Sequence, residues 1–158
     1  MTEIKPDGPH QGQPLLQHGK PLNEAKTAMI LVHGRGATAH NILGLAAELP
    51  HPEMAYLAPQ AKGNTWYPYS FLAPIAQNEP GISSGLQVLA ETIAQVEAAG
   101  IPAEKIVVGG FSQGACLASE FVAGHARRYG GLILFSGGLI GPPGTPRNYA
   151  GSLDGTPV

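Results

Sequence analysis

The chain has 158 residues, enough for one domain with a sizeable core and too few for two ordinary ones. Apolar residues are 43% of the total, which excludes a disordered chain. Lys plus Arg is 9 and Asp plus Glu is 11, a net charge of −2 with no basic run, so a nucleic-acid partner gripped by its phosphates is excluded.

Met1 to Gln13 is polar and Pro/Gly-rich, and reads as a flexible arm (1–13) ahead of a single domain over 14–158. It lacks the basic-then-apolar order of a secretory signal, and no apolar run reaches the length of a membrane span. Pro14 to His18 predicts a short edge strand. Thr27 to His33 is a short apolar run with the β-branched content of a buried strand, ending at Gly34. Thr38 to Leu49 has helical spacing, with Ile42, Leu45, Ala46 and Leu49 on one side, and Pro50 and Pro52 end it. Met54 to Ala58 predicts a second central strand.

Pro59 to Gly81 is rich in Pro, Asn, Tyr and Trp. A loop of this length inside a compact domain is usually functional or disordered. Ser83 and Ser84 stand where a helix N-cap belongs. Leu86, Leu89, Ile93 and Val96 follow at helical steps, and Gly100 closes the helix. Lys105 to Gly109 predicts a third central strand. Gln113 to Arg128 predicts a helix, with Arg127 and Arg128 at its negative end. Gly131 to Ser136 predicts a fourth strand, and Gly137 to Pro157 a loop. Short apolar strands alternate with helices, so the fold class is α/β: a mostly parallel sheet flanked by helices. Sites in such sheets form at the carboxyl ends of the strands.

Gly110-Phe111-Ser112-Gln113-Gly114 follows the third central strand and opens a helix. A G-x-S-x-G match arises by chance about 0.1 times in a chain of this composition, so the context carries the weight. Between a strand and a helix, this pattern is the nucleophile elbow of α/β-hydrolases, in which glycines permit a sharp turn that exposes the serine. Ser112 is thus the candidate nucleophile. His33-Gly34-Arg35-Gly36 follows the first central strand, and its glycines let backbone approach the serine. An oxyanion hole needs two aimed N–H donors, and the backbone N–H groups of Arg35 and Gln113 are the candidates. His33 reads as a buried, hydrogen-bonded shaper of the turn rather than a base.

Together His33-Gly-Arg-Gly, Gly110-Phe-Ser-Gln-Gly-Ala115 and Phe135-Ser-Gly resemble the carboxylesterase/phospholipase family of α/β-hydrolases that includes acyl-protein thioesterases. The resemblance runs from about Ala28 to the last residue. It implies a cofactor-free serine esterase or thioesterase acting on a small-molecule ester or thioester. It implies Ser112 as nucleophile, Arg35 and Gln113 as oxyanion donors, and Trp66 near the acyl pocket. Read from the residues alone, Trp66, Tyr67, Tyr69 and Phe71 either line that pocket or pack the long loop over the sheet, with Trp66 the leading candidate for the pocket. Relatives commonly carry a small apolar residue at position 35, so Arg35 leaves local substrate preference open.

A serine hydroxyl needs a base oriented by a third group, in the chain order Ser, acid, His. After Ser112 the acidic residues are Glu120 and Asp154, and the one histidine, His125, precedes Asp154. On a continuous helix His125 would lie roughly 20 Å from Ser112, far beyond hydrogen-bond reach. In the family the acid and base follow later strands. The expectation is therefore an α/β-hydrolase fold lacking its C-terminal strands and helices, inactive by itself. Its partner is then a complementing C-terminal segment or a second copy in a homodimer. The alternative is a non-catalytic ligand-binding or interaction fragment. Cys116, the single cysteine, reads as a small core residue, excludes an intrachain disulfide, and fits a cytoplasmic protein. His10, His18, His40 and His51 lack metal-ligand spacing and read as surface residues, and no metal site is expected.

Overall fold

A computed structural model describes residues 8–158. Its strands are β1 (Leu15–Gly19), β2 (Thr27–Val32), β3 (Met54–Pro59), β4 (Ile106–Phe111) and β5 (Gly131–Phe135). They form one sheet in the order β1-β3-β2-β4-β5. β1 runs antiparallel to β3 at one edge, and every other pairing is parallel. This is the mostly parallel sheet that strand–helix alternation predicts.

Residue alternation along the strands builds two cores, because successive side chains leave opposite faces. Ala28, Ile30 and Val32 of β2 and Leu57 of β3 join the larger core. Met29, Leu31, Tyr56 and Ala58 join the smaller one. Helices α3 (Gly81–Ala98) and α4 (Gln113–Gly124) cover the larger core through Leu89, Ile93, Leu117 and Phe121. They cross closely at Gly85, where a Cβ would stand 2.8 Å from a Leu117 methyl. The short helices α1 (Ala39–Ile42) and α2 (Leu45–Glu48) cover the smaller core. That cover does not extend to the far end of β4 and β5. Phe111 and Phe135, paired in register, are 53% and 45% exposed there.

Several boundaries differ from those the sequence predicts, each for a physical reason. The helix expected over 38–49 is two short ones. Gly44 has poor helix propensity, and tight bonds from Gly44 N–H to Asn41 O and Ala46 N–H to Leu43 O replace the α-helical ladder there. α3 starts at Gly81, ahead of Ser83 and Ser84. The Glu79 carboxylate accepts the Ser83 N–H at 2.9 Å, so a residue before the helix does the capping. α4 ends at Gly124 rather than Arg128. The His125 ring stacks on Phe121 at 4.3 Å, with Nδ1 3.0 Å from the Phe121 carbonyl. The two arginines leave the helix: Arg127 pairs with Glu97 of α3 at 2.6 Å, and Arg128 donates to the Asp154 carbonyl.

Of the arm expected over 1–13, residues 1–7 lie outside the described residues. Residues 8–13 are docked, not free. His10 N–H donates to Ser84 Oγ at 2.9 Å, and the His10 ring is buried against Trp66. His10 is therefore not the surface residue expected. The loop after β5 contains no helix or strand among its described residues, yet it closes on the core through Ile140 and through Leu132 N–H to Pro157 O. No described helix is long and apolar enough to cross a membrane.

Leu57 lies at the centre of the larger core, on the strand between β1 and β2. Leu57→Ala is expected to lower the unfolding free energy by about 2–5 kcal/mol in urea titrations. Leu16→Ala, on the half-exposed edge strand, is expected to cost well under half of that.

Candidate active site

The turn between β4 and α4 sets Ser112 at φ 52 and ψ −115, a conformation rare for a residue with a side chain. Neighbouring bonds hold it there. Ser112 N–H donates to Phe135 O at 2.8 Å, and Ser112 O accepts from Cys116 N–H at 3.0 Å. Glycines flank it because nothing else fits. A Cβ on Gly110 would lie 2.7 Å from the Gly114 carbonyl carbon, and one on Gly114 would collide with the carbonyls of Val32 and His33. The elbow thus brings α4 into contact with the end of β2. Strain of this kind is worth about 1–3 kcal/mol and persists only where surrounding packing over-determines it.

The turn after β2 lies directly against the elbow. A Cβ on Gly34 would sit 3.1 Å from Phe111 O and 3.6 Å from Ser112 Cβ. His33 is buried and shapes this turn, as its sequence context predicts. Its Nδ1 faces Gly34 O at 2.8 Å, and its Nε2 accepts Ala61 N–H at 3.0 Å. Those partners require a neutral ring with the proton on Nδ1. Among the described residues, the backbone N–H groups of Arg35 and Gln113 have no protein acceptor. Gln113 is the first residue of α4, so the positive end of the helix dipole faces the same region.

The Arg35 side chain has a separate task. Its guanidinium donates to Pro68 O at 2.6 Å and to Tyr69 O at 2.7 Å, and its Cζ lies 5.9 Å from the Tyr67 ring centroid. Gly36 N–H donates to Asn64 O at 2.7 Å. The turn is thereby stapled to the long loop before α3.

That loop is packed, with Asn78 at its base bridging Tyr69 N–H and Ser70 O. Trp66 does not reach the pocket at which the resemblance places it. It is 0% exposed and stands behind the wall, its ring between those of His10 and His33. Its indole N–H donates to His33 O at 2.9 Å, and its carbonyl lies 2.7 Å from His10 Nε2. The Gln113 side chain, 5% exposed, completes the clamp by accepting Trp66 N–H at 2.8 Å and donating to Tyr67 O at 2.7 Å. No local pattern marks Gln113 or His10 for these roles, because their partners lie about 50 residues away in the chain.

A cleft of about 140 Å³ opens over Ser112, lined by Arg35, Tyr67, Ser70, Phe71 and Ser136 among others. Tyr67 and Phe71 thus form the aromatic wall. Ser136, just past β5, could be anticipated from its place at a strand's carboxyl end. Burial, and then nearby Cys116, hold the Tyr67 phenol well above its ordinary range, so it stays protonated and cannot act as a base. No histidine or carboxylate lines the cleft. His125 caps the opposite end of α4, Glu120 accepts from Tyr149 Oη, and Asp154 lies in an exposed turn. Beside the cleft, an apolar groove of about 410 Å³ runs between Ile42, Leu45, Phe111 and Phe135.

A strained serine at the carboxyl end of a parallel sheet, between a strand and the helix it opens, defines the class: an α/β-hydrolase. The sequence profile of the phospholipase/carboxylesterase family matches residues 19–158. The chain belongs to that family. It is 29% identical over 135 residues to acyl-protein thioesterase 1 of Yarrowia lipolytica, covering 74% of this chain and 60% of that protein. It is 31% identical over 129 residues to acyl-protein thioesterase 1 of Eremothecium gossypii, covering 72% and 55%. The crystal structure of a phospholipase/carboxylesterase from Dyadobacter fermentans superposes with a TM-score of 0.88 at 48% identity, over 92% of this chain and 69% of that one. The chain therefore spans less than two thirds of the length of these curated relatives.

Two predictions come from this geometry. Gly114→Ala is expected to lose about 1–3 kcal/mol or more, because its Cβ meets backbone that cannot yield. Gly124→Ala, at the open end of the same helix, is expected to gain about 0.5–1 kcal/mol. Denaturant melts of the pair separate elbow packing from helix propensity. The second prediction concerns pH. Burial lowers the pKa of His10 and His33 below 6.5, so the unfolded chain takes up protons first on acidification. Stability is therefore full above about pH 6.5 and declines as pH falls below it, until the lowered folded-state values are reached. Urea midpoints between about pH 7.5 and pH 5.5 should fall, and His10→Asn should flatten that slope.

Proposed function

We propose that the protein is a hydrolase of carboxylic esters or thioesters working through an acyl-enzyme on Ser112. In this reading Ser112 Oγ attacks the acyl carbon and gives up its proton to a base. The carbonyl oxygen becomes an oxyanion facing the backbone N–H groups of Arg35 and Gln113. Collapse expels the alcohol or thiol, which takes the proton, and water then releases the acid by the same route. The observation that carries the reading is the pairing of a strained, exposed Ser112 with two unpartnered N–H groups, that of Arg35 on the turn packed against it and that of Gln113 at the start of α4. Membership of the phospholipase/carboxylesterase family supports it.

We further infer that base and acid come from residues outside these 158, since the cleft is lined by neither histidine nor carboxylate. The neighbouring groove with its exposed Phe111 and Phe135 offers a segment bearing them an apolar seat. The buried, unpaired Cys116 fits a reducing cytoplasm. The same lack of a base favours a second reading for the chain by itself, a non-catalytic binder of ester-like ligands.

The test is intact-mass analysis after a fluorophosphonate probe, with ester turnover alongside. In the intact protein, a single adduct on Ser112 is expected. Ser112→Ala should abolish the adduct and lower turnover by at least about 10³-fold. The 158-residue chain alone should stay unlabelled. Turnover that survives Ser112→Ala would falsify the acyl-serine reading.

A further inference from the structure

The charge of the cleft is confined to one group. Of the residues lining it, Arg35 alone is charged at neutral pH; the others are aromatic, hydroxyl, amide or thiol side chains. Among the described residues, the ion pairs are Arg127 with Glu97 and Arg147 with Glu120, so Arg35 has no carboxylate partner. Two of its five N–H donors go to the carbonyls of Pro68 and Tyr69, at 2.6 and 2.7 Å. Those bonds fix the guanidinium in place and neutralise none of its charge. A cation already held by its scaffold loses little freedom when a ligand arrives, and its planar fork matches a carboxylate. The cleft is small, and Ser70 and Ser136 also line it, so it has room for a short polar group beside Arg35.

We propose that Arg35 is a specificity-determining residue, and that the site takes short esters or thioesters carrying a carboxylate near the scissile bond. The carboxylate pairs with the free N–H edge of Arg35 while the acyl carbon sits over Ser112. This rests on the hydrolase reading above and adds a substrate class to it. Arg35 then works at both ends, with its backbone N–H facing the oxyanion and its side chain facing the substrate's charge.

The test compares two matched ester pairs on the intact protein. The p-nitrophenyl monoester of glutaric acid against p-nitrophenyl valerate places the charge on the acyl side. Butyryl glycolate against propyl butyrate places it on the leaving group. In at least one pair the charged ester should be favoured in kcat/KM by about ten-fold, the size of a charge-assisted hydrogen bond. Added salt should erode that preference and leave the neutral ester unaffected. Arg35→Met should erase the ratio, and Arg35→Lys should keep part of it. Because Arg35 also staples the loop, the neutral ester's rate in each variant absorbs any loosening, and the ratio reads the charge alone. Equal or inverted preference in both pairs, or a ratio unchanged in Arg35→Met, overturns the proposal and leaves the hydrolase reading standing. No turnover of any ester by the wild-type protein overturns both.

Discussion

The architecture around Ser112 depends on one buried amide. Gln113 holds Trp66 N–H and Tyr67 O at once, and so ties the first turn of α4 to a loop nearly fifty residues earlier. Two further segments of the site are attached to that tie through Trp66. The Trp66 indole reaches the carbonyl of His33, and so fixes the turn that carries Arg35. The Trp66 carbonyl meets His10, and so fixes the docked N-terminal residues. Each bond lies in a dry environment, where leaving one partner unmet costs about 1–3 kcal/mol. Three segments with no regular structure in common are thereby joined through buried hydrogen bonds. The two histidines belong to the same scheme, because both present a neutral nitrogen to a backbone N–H.

The elbow and this clamp serve each other. A serine at positive φ is unfavourable by itself, and the one local bond to its carbonyl, from Cys116 N–H, is an ordinary helical one that does not select that φ. The compensation comes from Phe135 O on the neighbouring strand and from the packing of Gly114 beneath Val32. Those contacts require β2, β4 and β5 to end level with one another, as the parallel registers from Ala28↔Ile106 to Phe111↔Phe135 ensure. The sheet thus supplies the force that keeps the serine exposed, and the loop supplies the walls above it.

The fold was largely legible in the sequence, and the site only partly, for a physical reason. Short apolar strands announce themselves by composition over a few residues, and the G-x-S-x-G elbow by five. Both are local, and the structure places them where they were read. Helix ends at Ser83, Gly44 and Arg128 are less legible, because capping is decided by Glu79, by tight turn bonds and by the His125 ring rather than by propensity. The resemblance places Trp66 at the pocket, but its indole N–H finds a buried acceptor in His33 and turns inward. Tyr67 and Phe71, its neighbours in the chain, take the wall instead. His10 reads as solvated in the sequence because an isolated histidine in a polar stretch carries no sign of a tryptophan fifty-six residues away.

In the proposed mechanism the catalytic machinery separates into two physically different halves. One is electrostatic and preorganised: backbone donors and a helix terminus, held by the sheet and by the Gln113 clamp, whose value lies in needing no rearrangement when charge develops. The other is the proton-transfer relay, which needs a titratable group within about 3 Å of Ser112 Oγ. In that reading the cleft offers the first half, while no histidine or carboxylate lines it to supply the second. Oxyanion donors and binding alone sustain roughly 10³–10⁴-fold acceleration in triad enzymes stripped of their relay. A scaffold of this kind keeps its affinity for a tetrahedral oxyanion whether or not the relay is present. Recognition and turnover are therefore separable properties here, and the charge at Arg35 belongs to recognition.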